Sequence, residues 1–141
     1  MKDPQRRAEQ IVQGMLDRDS FSRWLGVEVV ELGPGRCRCR MRVRPEMVNG
    51  FGVAHGGIAY SLADSALAFA SNTQGRIALS IENGISYPAS VRPGDQLTAS
   101  ASEETATNRL AFYQVRVINQ REETVAIFRG TVYRTNEEHP E

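Results

Sequence analysis

The sequence is poor in lysine, cysteine and long apolar runs, and it carries no net charge. Seventeen basic residues, all but Lys2 arginine, balance seventeen acidic ones. No net field is therefore present to gather nucleic acid or an anionic membrane by long-range attraction, and neither is expected as a partner. The longest run of Ala, Leu and Phe, Ala66 to Ala70, falls far short of the roughly 20 residues that span a bilayer. Met1 to Gln10 is polar and leads into no apolar stretch of signal-peptide length. These features place the chain in the cytoplasm. Cys37 and Cys39 would share one face of a strand, a spacing that does not suit a bridge. With His55 and His139 they could in principle supply four metal ligands. Packed, reduced thiols are the better reading, so the expectation is no metal and no cofactor.

What remains is an ordinary globular mixture, 40% apolar and 24% charged over 141 residues, enough for one domain spanning 1–141. Asp3-Pro4 opens a helix carrying Ile11, Val12, Met15 and Leu16 on one face. A second turn from Asp19 or Ser20 should bury Phe21, Trp24 and Leu25 before Gly26 stops it, giving a helical segment over about 4–25. From Val27 the period becomes two. Val27, Val29, Cys37, Cys39, Met41 and Val43 alternate with Glu28 and with Arg36, Arg38, Arg40, Arg42 and Arg44 around a Gly33-Pro34-Gly35 turn, the pattern of a hairpin with one wet face. The arginine row should be a solvated face that blocks further sheet pairing. A long helix follows from Gly56 to about Thr73, with Gly75 as its C-cap. Strands are expected at 77–87, 95–103, 109–119 and 122–135. Strands outnumber helices without regular βαβ alternation, so the fold class is α+β: a largely antiparallel sheet of five or six strands with one central helix on its inner face.

Between Gly50 and Gly75 the sole formally charged residue is Asp64, although this segment holds the longest predicted helix. The apolar stripe centres near Ala66, while Asp64 falls on the far side with Tyr60, Ser61, Ala68 and Ser71. A far side of small and hydroxyl residues describes a helix covered on both faces. A chain this short has little material for the second cover, which points to a partner subunit and a buried Asp64 at an oligomer interface. A carboxylate so placed resists ionisation and marks a functional candidate. Asn49-Gly50 and His55-Gly56-Gly57 precede the helix, so its first N–H groups are uncrowded at the positive dipole end and could polarise a carbonyl oxygen.

The order Asn49, His55-Gly56-Gly57 and then Asp64 resembles the hotdog-fold acyl-CoA thioesterases. The runs Val48-Asn49-Gly50, Ser61-Leu62-Ala63-Asp64, Asn72-Thr73-Gln74-Gly75, Arg92-Pro93-Gly94-Asp95 and Ala126-Ile127-Phe128-Arg129-Gly130 are similar to the branch acting in bacterial phenylacetate degradation. The resemblance implies a dimer with a continuous sheet and shared active sites, and a tetramer of two such dimers. It also implies Asp64 as the catalytic carboxylate, the Gly56 N–H as holder of the thioester carbonyl, Asn49 as orienting group and His55 as positioner of the loop. Gly57, Tyr60 and Ser80 are then candidate substrate-binding residues, and the substrate is an aryl-acetyl-CoA, with or without a ring hydroxyl. Some relatives carry a hydroxyl residue one turn after the carboxylate, where this chain has Ala68. Two alternatives remain: a hotdog hydratase or dehydratase, which would need a histidine opposite the acid, and a non-catalytic acyl-CoA binding module.

Overall fold

The computed structural model describes residues 3–141. Helix α1 (Pro4–Arg18) begins where Asp3 Oδ1 accepts the Gln5 N–H at 3.0 Å, and it buries Ala8, Ile11 and Val12. Asp19 breaks the chain and caps α2 (Ser20–Leu25), accepting from the Ser22 N–H at 2.9 Å and the Ser22 hydroxyl at 2.6 Å. Gly26 ends α2 at φ +82°, a conformation that costs glycine nothing sterically. Leu25 is buried as expected, but Phe21 and Trp24 are 55% and 59% exposed. The reason is that this one-and-a-half-turn helix turns Ser22 and Leu25 inward. Phe21 and Trp24 instead stack on each other outside, with the Arg44 guanidinium over the Trp24 ring at 5.2 Å.

Six strands follow: β1 (Glu28–Gly33), β2 (Arg36–Arg42), β3 (Arg76–Ser86), β4 (Gln96–Ala106), β5 (Leu110–Ile118) and β6 (Thr124–Glu138). They form one antiparallel sheet in the order β1-β2-β4-β5-β6-β3. The expected arginine row does lie on a wet face, where Glu31 pairs with Arg36 and Arg38, and Glu28 with Arg40. It does not block pairing. β2 is an interior strand, because side chains leave a strand perpendicular to the hydrogen-bonding direction and the β2 backbone stays free to pair with β1 and β4.

Helix α3 (Gly56–Asn72) lies across the inner face. Leu62, Ala63, Ala66, Leu67, Phe69 and Ala70 are buried against Cys39, Met41, Leu97, Val115, Val117 and Phe128 of the sheet. The small alanines let the helix sit close to the strands, and Phe128 meets the edge of Tyr60 at 5.2 Å between ring centres. Two details of α3 differ from the pattern of the sequence. Its C-cap is Thr73, not Gly75, which comes two residues later at φ +114°. Ser71 is buried, its hydroxyl turned back to the Ala68 carbonyl at 3.2 Å. Both differences come from how the helix end is tied down. Asn72 exchanges two hydrogen bonds with the Ala78 backbone, and Thr73 Oγ1 donates to Ala70 O while accepting the Gly35 N–H. The end of α3 is thus fastened to β3 and to the β1–β2 turn.

Phe128 has no exposed surface. Phe128→Ala should therefore destabilise the protein by about 3–5 kcal/mol, read from urea denaturation at fixed protein concentration; a loss below about 1 kcal/mol would mean that the core closes over the gap.

Candidate active site

The loop before α3 is built by backbone pairing. Val48 and Ala54 form a bridge around a tight turn, in which Asn49 N–H donates to Val53 O and Asn49 Oδ1 accepts the Phe51 N–H at 2.8 Å. Asn49 therefore spends its carbonyl on the turn, leaving the Nδ2 amide as the group it can offer a substrate. Ala54 N–H then donates to Val91 O, and His55 N–H to Met47 O. These bonds set the angle at which the chain enters the helix.

At that entrance His55 is the N-cap. Its Nδ1 accepts the Gly57 N–H at 3.0 Å, and its carbonyl accepts the Ile58 N–H at 2.9 Å. An accepting Nδ1 puts the hydrogen of the neutral ring on Nε2. Gly57 is thereby turned to the cap. Among the described residues no acceptor takes the Gly56 N–H, so the cap, which binds the Gly57 and Ile58 N–H groups, leaves this donor open. Tyr87 approaches from the other side, donating from its hydroxyl to Gly56 O at 2.7 Å. A Cβ at position 56 would stand 3.2 Å from that hydroxyl oxygen, which explains why glycine fits here. A cavity of about 240 Å³ opens at this point, lined by Ala54, His55, Gly56, Ala59, Tyr87 and Val91 among others, and none of its lining residues is acidic. It holds a donor for a carbonyl and largely apolar walls, but no carboxylate, and the His55 Nδ1 that lines it is already bound to the Gly57 N–H.

The carboxylate is elsewhere on the same helix. Asp64 lies eight residues beyond Gly56, about 12 Å along the axis at 1.5 Å per residue. Tyr60, one turn earlier, shares its face. Asn83 on β3 donates from Nδ2 to the Tyr60 hydroxyl at 3.2 Å, and the same nitrogen is 3.5 Å from Asp64 Oδ1. Ser80 Oγ donates to Asn83 Oδ1 at 2.8 Å. Ser80 is thus joined to the Asp64 neighbourhood through Asn83 rather than directly. Asp64 has its pKa raised, first by burial and also by the negative Asp19, with the Asn83 contact pulling the other way. Ala68 is half-buried on this face.

Asn83 carries no signal in the charge pattern, yet a central Asn is unfavourable in a strand and marks this position in hindsight. The stretch Pro88 to Val91, which walls the cavity, is equally silent in periodicity. The four residues weighed for a metal are scattered. Cys37 and Cys39 are buried with their sulfurs 3.8 Å apart, His55 caps α3, and His139 Nε2 meets Asn72 Oδ1 at 2.7 Å. Among the described residues no group of three His, Cys, Asp or Glu could hold a metal ion, and no helix is long and apolar enough to cross a membrane.

The raised pKa of Asp64 has a consequence for stability. The folded chain holds this proton more tightly than the unfolded chain, so a favourable contribution present at low pH is lost as pH rises through the raised value. Asp64→Asn, neutral throughout, should melt above wild type at pH 7, with the gap closing toward about pH 3. A lower melting temperature at pH 7 would contradict the burial argument.

Comparison with known proteins agrees with this fold. The model of the thioesterase superfamily matches residues 51–126. The acyl-coenzyme A thioesterase PaaI of Escherichia coli K12 is 34% identical over 128 residues, covering 91% of each chain. The solved structure of the E. coli PaaI protein from the phenylacetic acid degradation operon superposes with a TM-score of 0.94 at 32% identity, over 96% of this chain and 99% of that one. The TT0310 protein of Thermus thermophilus gives 0.80 at 40% identity, over 84% and 99%. With the family model spanning more than half of its length and a relative 34% identical over nine-tenths of both chains, this chain belongs to the thioesterase superfamily, has the hotdog fold and is a thioester hydrolase.

Proposed function

We propose that this enzyme hydrolyses aryl-acetyl thioesters of coenzyme A, phenylacetyl-CoA or its ring-hydroxylated forms, at active sites shared between two protomers. One observation carries the shared site. The Gly56 donor and the Asp64 carboxylate are about 12 Å apart along one helix, too far for both to act on one carbonyl, and the cavity at Gly56 lacks an acid. A second copy supplies the missing half to each. The sheet has a place for it: β3 is an edge strand of 11 residues with Leu79 and Ile81 each 59% exposed. A long apolar edge of this kind invites pairing with another chain. Pairing along β3 would make one continuous sheet, and two such dimers a tetramer.

In this reading the thioester oxygen accepts the Gly56 N–H of one protomer, aided by the positive end of α3. Asn49 Nδ2 helps to orient the carbonyl or the water. The partner's Asp64 removes a proton from water as it attacks the carbonyl carbon, and the negative charge collects on the oxygen held by Gly56. The C–S bond then breaks, the sulfur takes the proton held by the carboxyl group, and the acid and free CoA leave. Burial raises the carboxylate's basicity. His55 and Gly57 hold the loop, while Tyr60, Ser80 and the walls of the cavity frame the acyl group. His55 is bound into the helix cap and is no base opposite Asp64, which argues against hydration or dehydration. An aryl-acetyl substrate is supported by the similarity to E. coli PaaI. Residues 1–141 act as one domain. Two free buried cysteines fit a reducing cytoplasm.

Thiol release should be fast with phenylacetyl-CoA or hydroxyphenylacetyl-CoA and slow with benzoyl-CoA and medium-chain acyl-CoA. In Asp64→Asn, kcat should fall by about a hundredfold or more. Near-normal turnover in that variant would remove Asp64 from the reaction.

The donor can be tested as well, because proline is tolerated in the first turn of a helix and has no N–H, while alanine carries the same Cβ toward Tyr87 and keeps the donor. Gly56→Ala measures the cost of the Cβ against Tyr87, and Gly56→Pro should cost about 100-fold more than that in kcat, since it also loses the donor. Co-expressed Asp64→Asn and Gly56→Pro chains should regain about a quarter of wild-type activity, since half the dimers are mixed and each has one intact site. No recovery in purified mixed dimers would refute the shared site.

A further inference from the structure

We propose that Asn83 is a positioning residue for Asp64, tying one carboxylate oxygen so that the other faces the attacking water, and that Gly130 is small because Asn83 must lie across it. This deepens the reading of Asp64 as the base and rests on it. Asn83 stands on β3 directly opposite Gly130 of β6. A Cβ on Gly130 would come within 2.7 Å of Asn83 Oδ1 and 2.8 Å of Leu67 Cδ2. Both distances are shorter than real Cβ contacts, so a larger residue at 130 would push the amide off the helix or push Leu67 into the core.

The amide can lie only one way round. A carboxylate accepts hydrogen bonds and does not donate, so the Asp64 side must receive Nδ2. On the other side the Ser80 hydroxyl donates to Oδ1 at 2.8 Å. Nδ2 has two hydrogens and two acceptors within reach, the Tyr60 hydroxyl and Asp64 Oδ1. Among the described residues no partner takes Asp64 Oδ2. Tyr60, one turn earlier on the same helix, shares the Asn83 amide with the carboxylate, and Asp19, the N-cap of α2, opposes its ionisation by its charge. Among the described residues, Asn83 is the donor within hydrogen-bond distance of the Asp64 carboxylate. Its removal should leave a more basic, less well-oriented carboxylate.

The test follows the carboxyl group itself and activity separately. With five aspartates in the chain, the carbon-13 carboxyl signal of Asp64 can be assigned from its loss in Asp64→Asn. It should titrate about half to one pH unit higher in Asn83→Ala. In Asn83→Asp, which keeps the size and replaces the donor with a negative acceptor, it should move further. Gly130→Ala should move the titration upward without removing any polar group. The acid limb of kcat/KM should shift with the signal, and kcat should fall about three- to tenfold while KM changes little. A structural role alone would lower activity at every pH and leave the limb in place. An unchanged Asp64 titration in both Asn83 variants overturns the proposal, whatever happens to the rate. An unchanged titration in Gly130→Ala overturns the part assigned to Gly130. A titration that moves while the kinetic limb stays fixed would uphold the contact but remove Asp64 as the base, and the positioning role with it.

Discussion

Everything in this molecule depends on one helix being withdrawn from water while still presenting two polar groups from its length. Burying α3 in the curve of the sheet requires small side chains on one face, and Ala63, Ala66 and Ala70 supply them. The cost of burying polar groups is met by local partners. His55 takes one first-turn N–H, Asn72 and Thr73 satisfy the last turn, and Asn83 leans on the carboxylate in the middle. Two groups of α3 without such partners among the described residues are the Gly56 N–H and Asp64 Oδ2. Both lie on residues that are only half-buried, so a substrate or a water can still reach them.

Their separation along the helix turns an enzymatic question into one of assembly. A rigid helix cannot bring its own first residue and its ninth to the same atom. Two antiparallel helices from two chains can, because each then lays its middle beside the other's entrance. The same symmetry that joins the β3 edges would also close the sheet. In the proposed dimer, an apolar edge that would otherwise invite aggregation would become the contact that completes the site.

Much of this was legible in the sequence because it is written in periods and in missing charges. Alternation marked β1 and β2, and turn residues separated the later strands to within a few positions. The absence of charge from Gly50 to Gly75 except at Asp64 picked out the long helix packed on the sheet and the half-buried carboxylate it carries. What the sequence hid depends on distance rather than period. Phe21 and Trp24 follow the spacing of a buried face, yet α2 is too short to turn both them and Leu25 inward. The arginines of β2 look like an edge guard, but a charged face does not stop the backbone from pairing. Asn83 and Gly130 are 47 residues apart and reveal their relation only when β3 lies against β6.

The pair formed by Asn83 and Gly130 also shows how a fold can set the reactivity of a group without touching substrate. Burial alone would raise the pKa of Asp64 and make it a stronger base, but it would also keep more of it protonated at a given pH. A donor at Oδ1 works against that, keeping the carboxylate ionised at the cost of some basicity. The balance is adjusted by how closely β6 lets the Asn83 amide approach the helix, and that distance is governed by an absent side chain. The glycine and the acid therefore form one functional unit, although they lie on different elements and share no atom in contact.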